Sequence, residues 1–404
     1  MSVKGTWTLR YILLNVAYFA AFCTIHACAA MYLLAHGFTN TEVGVLLAIA
    51  NITSAISQPY VAGIIDKPGW LTNRRFILIS VLTILAGSLI LMAAHDIKAV
   101  IFVVYVVIYM IQFAYQPVMT ALCFEYQKAG CGINYGLARG LGSAGFAVTS
   151  VFVGRAVENF GVNLLLGINV AVMAISAILI YTFKKPEGTL HAGNYLPDET
   201  ITASAEQKAH NNIAEFARTY PAFMVFLAGT VCFYFAHNMI NDFMIQIIRN
   251  LGGGEAELGY ANFLQAILEL PVMALFGYIL KKISSDKLLL VSGVAFFVKI
   301  LILIFAVDMI GMYVSQSFQL FAYAVFIPAA AYYVSNTMEE LDQVKGQAYV
   351  TSAITVGGVF SNLLSGIILD NFGIKPMLIM GTAVCAAGVV IAFAAMLKLP
   401  HHRS

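Results

Sequence analysis

The sequence predicts an all-α membrane protein whose twelve transmembrane helices form two pseudo-symmetric six-helix bundles. Three observations carry that prediction: bilayer-length apolar runs recur along the chain, basic residues gather in alternate connections, and a short pattern in the first half returns in the second. Of 404 residues, 60% are hydrophobic and 10% charged, against about 25% charged in a soluble domain. A helix of about 20 apolar residues crosses a hydrocarbon core of roughly 30 Å and satisfies its own backbone there. A transmembrane β-barrel would show short alternating segments. These runs are continuous and rich in Leu, Ile, Ala and Met.

In order, the expected spans are 10–34, 42–64, 75–95, 98–122, 135–157, 162–183, 217–247, 257–280, 287–307, 310–334, 346–369 and 374–397. The first follows Lys4 and Arg10, yet it is too long for a signal peptide and lacks a small-residue cleavage site, so it reads as a retained span. An even number of spans puts both termini on one side, and Lys/Arg placement says which. The N-terminus, the even-numbered connections and the C-terminus hold Lys4, Arg10, Lys67, Arg74, Arg75, Lys128, Lys184, Lys185, Lys208, Arg218, Lys281, Lys282, Lys287, Lys345, Lys398 and Arg403. The opposite loops hold little more than Lys98, Arg249 and Lys375, with Arg155 near a helix end. Both termini are therefore expected to be cytoplasmic, in the inner (plasma) membrane of the cell.

Residues 184–216 form the one long hydrophilic stretch, with Pro186, Gly188 and the run His210-Asn211-Asn212. The expected domains are an N-terminal bundle 1–183, a cytoplasmic linker 184–216 and a C-terminal bundle 217–404. Tyr135-Gly136-Leu137-Ala138 leads to Glu158-Asn159-Phe160-Gly161, and Lys345-Gly346-Gln347-Ala348 leads to Asp370-Asn371-Phe372-Gly373. The repeat falls in the fifth helix of each half. This organisation is expected where a binding site lies between halves that rock against each other.

Other classes lack their signatures. The net charge of +2, spread over short loops, gives no nucleic-acid patch. Cys23, Cys28, Cys123, Cys131, Cys232 and Cys385 form no C-x-x-C or Cys/His cluster and read as small packed residues, with no metal site. No phosphate loop, H-E-x-x-H or G-x-S-x-G is present, so neither nucleotide hydrolysis nor enzymatic catalysis is expected. The expected partners are a small-molecule solute and the lipid bilayer, and the chain is expected to act as a monomer without a resident cofactor.

Two blocks carry a family resemblance. The second span ends in Gln58-Pro59-Tyr60-Val61-Ala62-Gly63-Ile64-Ile65-Asp66-Lys67-Pro68-Gly69, followed by Arg74-Arg75. It resembles the loop after the second helix in the major facilitator superfamily, which implies that Asp66 and Arg75 clasp the inner gate. Pro68 and the residues added before Arg74 depart from that pattern. The block Tyr135-Gly136-Leu137-Ala138-Arg139-Gly140-Leu141-Gly142-Ser143-Ala144-Gly145-Phe146 is similar to the fifth helix of the lactose permease branch, the oligosaccharide:proton symporters, which are related to the nucleoside:proton symporters. The resemblance implies that Arg139 bonds sugar hydroxyls and that Phe146, where the branch has tryptophan, stacks on the sugar ring. The acidic partner of that arginine falls at Ala121, with Glu125 one turn on.

Arg139 also stands out without the resemblance, because a charge at the membrane centre costs about 2.5–3.5 kcal/mol. At 1.5 Å per residue it sits about 7 Å into its span, so it either serves the solute or snorkels to the cytoplasmic surface. In the second half, Glu269 and Lys299 lie near the middle of the eighth and ninth spans. Opposite charges at one depth neutralise each other, and a carboxyl out of water suits proton pick-up and release. The resemblance places the coupling acid at Ala266, one turn from Glu269, matches Lys299 to an arginine, and puts histidine and glutamate where this chain has Gln319 and Ala322. Asp242 and His237 are further candidates for the proton path, while a structural Glu269–Lys299 pair is the alternative. His237/Asn241 and Asn238/Asp242 are each four apart and share a helix face. Tyr18, Asn51, Tyr109, Gln112, Gln116, Asn241, Gln316, Gln319, Tyr323 and Asn362 supply an uncharged, hydrogen-bonding lining. His26 reads as bonded to a neighbouring helix, with a ligand contact as the alternative.

The expected function is proton-coupled import of a sugar or other polyhydroxylated solute by alternating access, with the proton gradient as coupling source. Nucleoside uptake and efflux of amphipathic compounds are the transport alternatives; a non-transporting receptor or enzyme is the alternative of another class.

Overall fold

The computed structural model describes residues 3–65, 69–185 and 213–397. Asp66, most of the linker 184–216, Lys398 and Arg403 lie outside the described residues. Among the described residues, twelve helices are long and apolar enough to cross a membrane: Thr6–Ala27, Asn40–Ile65, Asn73–Ala93, Lys98–Lys128, Tyr135–Phe160, Leu164–Thr182, Pro221–Asp242, Glu255–Leu280, Ser285–Phe305, Met309–Thr337, Lys345–Phe372 and Ile374–Met396. The protein is thus a multi-pass, all-α membrane protein, and each expected span has its helix. The fourth is longer than its apolar run, extending past Ala121 to Lys128.

The chain divides into two compact units. One comprises Met1–Phe38, Ile49–Ala203 and Glu255–Ala266; the other comprises Thr39–Ala48, Ser204–Gly254 and Ile267–Ser404. In the first, the opening span packs on the fifth and sixth, and the third on the fourth and sixth. In the second, the seventh span packs on the eleventh and twelfth, and the ninth on the tenth and twelfth.

The internal repeat has a structural counterpart. Gly161 and Gly373 end the fifth and eleventh spans at φ +88° and +83°, a positive φ that a Cβ disfavours. The second span begins with a capping box: Thr39 N–H donates to Glu42 Oε2 at 2.8 Å, and Glu42 N–H to Thr39 Oγ1 at 3.1 Å. Asp370, from the repeat motif itself, adds acceptors. Its Oδ1 takes Asn40 N–H at 3.0 Å and Asn40 Nδ2 at 2.8 Å, and its Oδ2 takes Thr41 N–H at 2.7 Å. A carboxylate here also meets the positive end of the helix dipole. Replacing Asp370 by Ala is expected to cost about 1–2 kcal/mol, read as a lower melting temperature in detergent; an unchanged melting temperature would refute the cap.

Three spans expected to be continuous are interrupted. The first changes to a π-helical turn at Cys23–Ala27 before resuming at Ala29–Ala35. The seventh stops at Asp242, turns at Phe243 and resumes at Met244–Asn250. The tenth runs Met309–Ser317, tightens to a 3₁₀ turn at Phe318–Leu320 and resumes at Tyr323–Thr337. A carbonyl freed inside a membrane must find another donor. Tyr105 Oη donates to the carbonyl of Ile25, and Ser292 Oγ to that of Ala322 at 2.7 Å.

Candidate functional site

In the first unit, Arg139 stands on the fifth span one turn past its N-cap, Asn134, whose side chain accepts from Leu137 N–H at 3.0 Å. Its Nη1 donates to Ser143 Oγ at 2.7 Å, and its guanidinium lies 4.4 Å from the ring centre of Phe19. Ser143 is one turn farther into the span. The guanidinium therefore reaches away from the Tyr135 end, the opposite of the snorkelling direction. Cation–π contact stabilises it by roughly 0.5–2 kcal/mol. Glu125 is engaged elsewhere: it forms an ion pair with Lys185 and accepts Asn73 Nδ2 at 2.8 Å.

Aromatic rings extend from Phe19 along the first span. Phe19 packs edge-on to Tyr18, whose hydroxyl donates to the Gln112 carbonyl at 3.1 Å. Phe22 lies 6.4 Å from Phe146 and stacks on His26 at 4.1 Å with the ring planes 9° apart. Tyr109 and Phe113 of the fourth span close on the same imidazole at 3.8 and 4.7 Å. Tyr109 Oη in turn donates to Asn51 Oδ1 at 3.3 Å. Gln116, half-buried, lies one turn from Gln112 on the same helix. The expected group of Tyr18, Gln112, Gln116, Arg139 and Phe146 thus lies in one unit. His26 belongs with it: the π-helical turn sets its ring among aromatic faces, beside the Gln112 amide of the fourth span. Phe19, Phe22 and His26, spaced three and four apart, already carried that signal.

In the second unit, Lys299 is 0% exposed. Its Nζ donates to Gln319 Oε1 at 2.7 Å, and Gln319 Nε2 donates to half-buried Glu269 Oε1 at 2.9 Å. The amide of Gln319 therefore bridges the acid and the base, whose opposite charges also attract each other directly. The 3₁₀ turn at Phe318–Leu320 presents that amide, and Ser315 Oγ meets the Lys299 carbonyl at 2.7 Å. Gln319, one of the expected uncharged lining groups, takes this linking place.

The neighbouring polar face is continuous with aromatic rings. His237 stacks on Tyr323 at 5.2 Å with 15° between planes, and Asn241 Nδ2 lies 2.9 Å from His237 Nε2. Tyr234 and Phe296 meet the imidazole edge-on at 5.6 and 5.5 Å. Asp242 lies beside Asn362 at the interruption of the seventh span. Of the expected gate pair, only Arg75 is described: Nη1 donates to the Trp70 carbonyl at 2.6 Å, and its guanidinium lies 5.4 Å from the Trp70 ring centre. No group of three or more His, Cys, Asp or Glu side chains suited to a metal occurs among the described residues.

Known proteins share this architecture. A sucrose permease of Escherichia coli is 26% identical over 299 residues, which are 67% of this chain and 65% of that permease. The crystal structure of a mutant of the nucleoside transporter NupG superposes with a TM-score of 0.81, at 14% identity, over 98% of this chain and 100% of the other. An auto-inhibited peptide transporter of the POT family superposes with a TM-score of 0.77, at 10% identity, over 99% of each chain. At such identities the two structures speak for the fold alone. A family model described as the MFS_1 like family matches residues 7–380. The chain belongs to that family, part of the major facilitator superfamily.

Proposed function

We propose that this transporter imports a sugar or a similar polyhydroxylated solute together with protons, by alternating access, with both termini in the cytoplasm. The observation that carries the coupling is the buried chain Lys299–Gln319–Glu269. It holds a carboxyl, a group that gains and loses a proton, against one positive charge inside a membrane span. Glu269 is the proton carrier, with Asp242 and His237 as further members of the path and the proton gradient as the energy source. The gate role of Asp66 and Arg75 remains part of this proposal.

On the solute side, Arg139 over Phe19, with Phe146 and Phe22 beyond it, supplies the two things a sugar ring needs. Charged hydrogen-bond donors meet its hydroxyls, and aromatic faces meet its C–H surface. The sucrose permease relative supports a sugar. Stacked rings also suit a nucleobase, so the test sets the two classes side by side. Counterflow into proteoliposomes, with thermal-shift measurements, is run over sucrose, other disaccharides, monosaccharides and nucleosides. Sucrose or another sugar is expected to exchange, and exchange of nucleosides alone would overturn the sugar reading. Arg139→Ala is expected to weaken binding of the responding sugar on the order of ten- to a hundredfold, the range for a hydrogen bond to a charged group. Unaltered affinity would make Arg139 a structural residue.

A further inference from the structure

Four polar side-chain atoms meet at the interruption of the first span without partners. They are Nδ1 and Nε2 of His26 and both amide atoms of Gln112, all shut off from solvent. Gln112 is 0% exposed, and its amide lies beside the imidazole. Even one bond between them would leave one ring nitrogen and one amide atom unmet, since each group offers both a donor and an acceptor. Buried polar groups are almost always paired, because leaving one unpaired costs stability. Two of them side by side, His26 on a π-helical turn of a kind frequent at functional sites and Gln112 on the fourth span facing it, call for a binding role.

Packing does not explain the pair. His26 fills the space bounded by Phe22, Tyr109 and Phe113, and a phenylalanine would fill it with no unmet nitrogen. Gln112 faces the same space, where methionine has nearly its shape. The location has meaning as well: Phe22 touches both the imidazole and Phe146, so the orphaned atoms adjoin the rings assigned to the solute. We propose that His26 and Gln112 are a hydroxyl-recognition subsite, in which imidazole and amide together bind adjacent hydroxyls of a sugar ring. Each hydroxyl both donates and accepts, which matches the donor and acceptor that each side chain presents. The inference rests on the reading of the protein as a sugar transporter and adds the residues that select among sugars.

The test compares wild type, His26→Phe and Gln112→Met. Melting temperature is measured without solute, and binding is measured with sucrose, maltose and lactose and with monodeoxy derivatives of the sugar that responds. Each variant is expected to melt at or above the wild-type temperature, because an unmet polar group has been replaced by an apolar one of similar shape. Each is expected to bind the intact sugar at least tenfold more weakly. One monodeoxy derivative is expected to bind wild type and His26→Phe equally. If wild type binds a sugar and both variants bind it unchanged, the subsite is refuted while the transport reading stands. Lower melting temperatures in both variants would assign the pair a structural role and also overturn it. A wild type that responds to no sugar removes the sugar reading, and the subsite with it.

Discussion

Proteoliposomes carrying Glu269→Gln are expected to exchange solute at equilibrium but to lose accumulation driven by a pH gradient. Glutamine has the size of a protonated glutamate and cannot release a proton. Its Oε1 can still accept from Gln319 Nε2, the bond that Glu269 makes at 2.9 Å, so the local geometry is kept. Exchange needs only the loaded carrier to reorient, whereas accumulation needs a proton to bind on one side and leave on the other. The variant separates those steps. Wild-type accumulation in Glu269→Gln would remove Glu269 from the proton path and leave the Lys299–Gln319–Glu269 chain as a structural clasp.

Lys299→Met is expected to give the largest loss of stability among single replacements in this chain of contacts. It removes the donor to Gln319 Oε1 and leaves the Glu269 carboxylate without its positive counterpart. Breaking a buried charge pair from one side costs about 3–5 kcal/mol, and the low end applies because Glu269 is half-buried. The double variant Lys299→Met with Glu269→Gln is expected to recover most of that loss, since no unmatched charge remains. It is not expected to recover pH-driven accumulation. Melting temperatures in detergent for wild type, both single variants and the double variant give the coupling between the two charges. A double variant no more stable than Lys299→Met would show that the charges do not act as a pair.

Much of the frame was legible in the sequence because the physics behind it is local. A bilayer demands runs of about twenty apolar residues, and the twelve runs became twelve spans. The Glu158-Asn159-Phe160-Gly161 and Asp370-Asn371-Phe372-Gly373 motifs became matching helix stops, since the glycine conformation they need is a property of a few residues. The interruptions at Cys23–Ala27, Phe243 and Phe318–Ala322 were not legible. Hydropathy is the same for a straight and a broken apolar helix, and no proline or glycine marks these three places.

The site followed the same division. Placing Glu269 and Lys299 at one depth on successive helices needed only span counting. Seeing that Gln319 joins them needed the tenth span, where the 3₁₀ turn breaks the period by which faces are assigned. The aromatic setting of His26 was not legible for a related reason. The π-helical turn sets this histidine among three aromatic rings, with the Gln112 amide of the fourth span beside it. Arg139 is held on Phe19 and points into the span, a side-chain direction that its position on the fifth helix left open between solute and surface. Glu125 does not serve as its partner, because Lys185 and Asn73 already engage that carboxylate.

The claim that this family member couples solute to protons meets its most direct test in wild-type protein, in sealed proteoliposomes with a pH-sensitive dye inside and no imposed gradient. Addition of the responding sugar outside is expected to acidify the interior, and a protonophore is expected to abolish the signal. Sugar counterflow that proceeds with no change in internal pH would contradict the account and make the protein a uniporter or an exchanger.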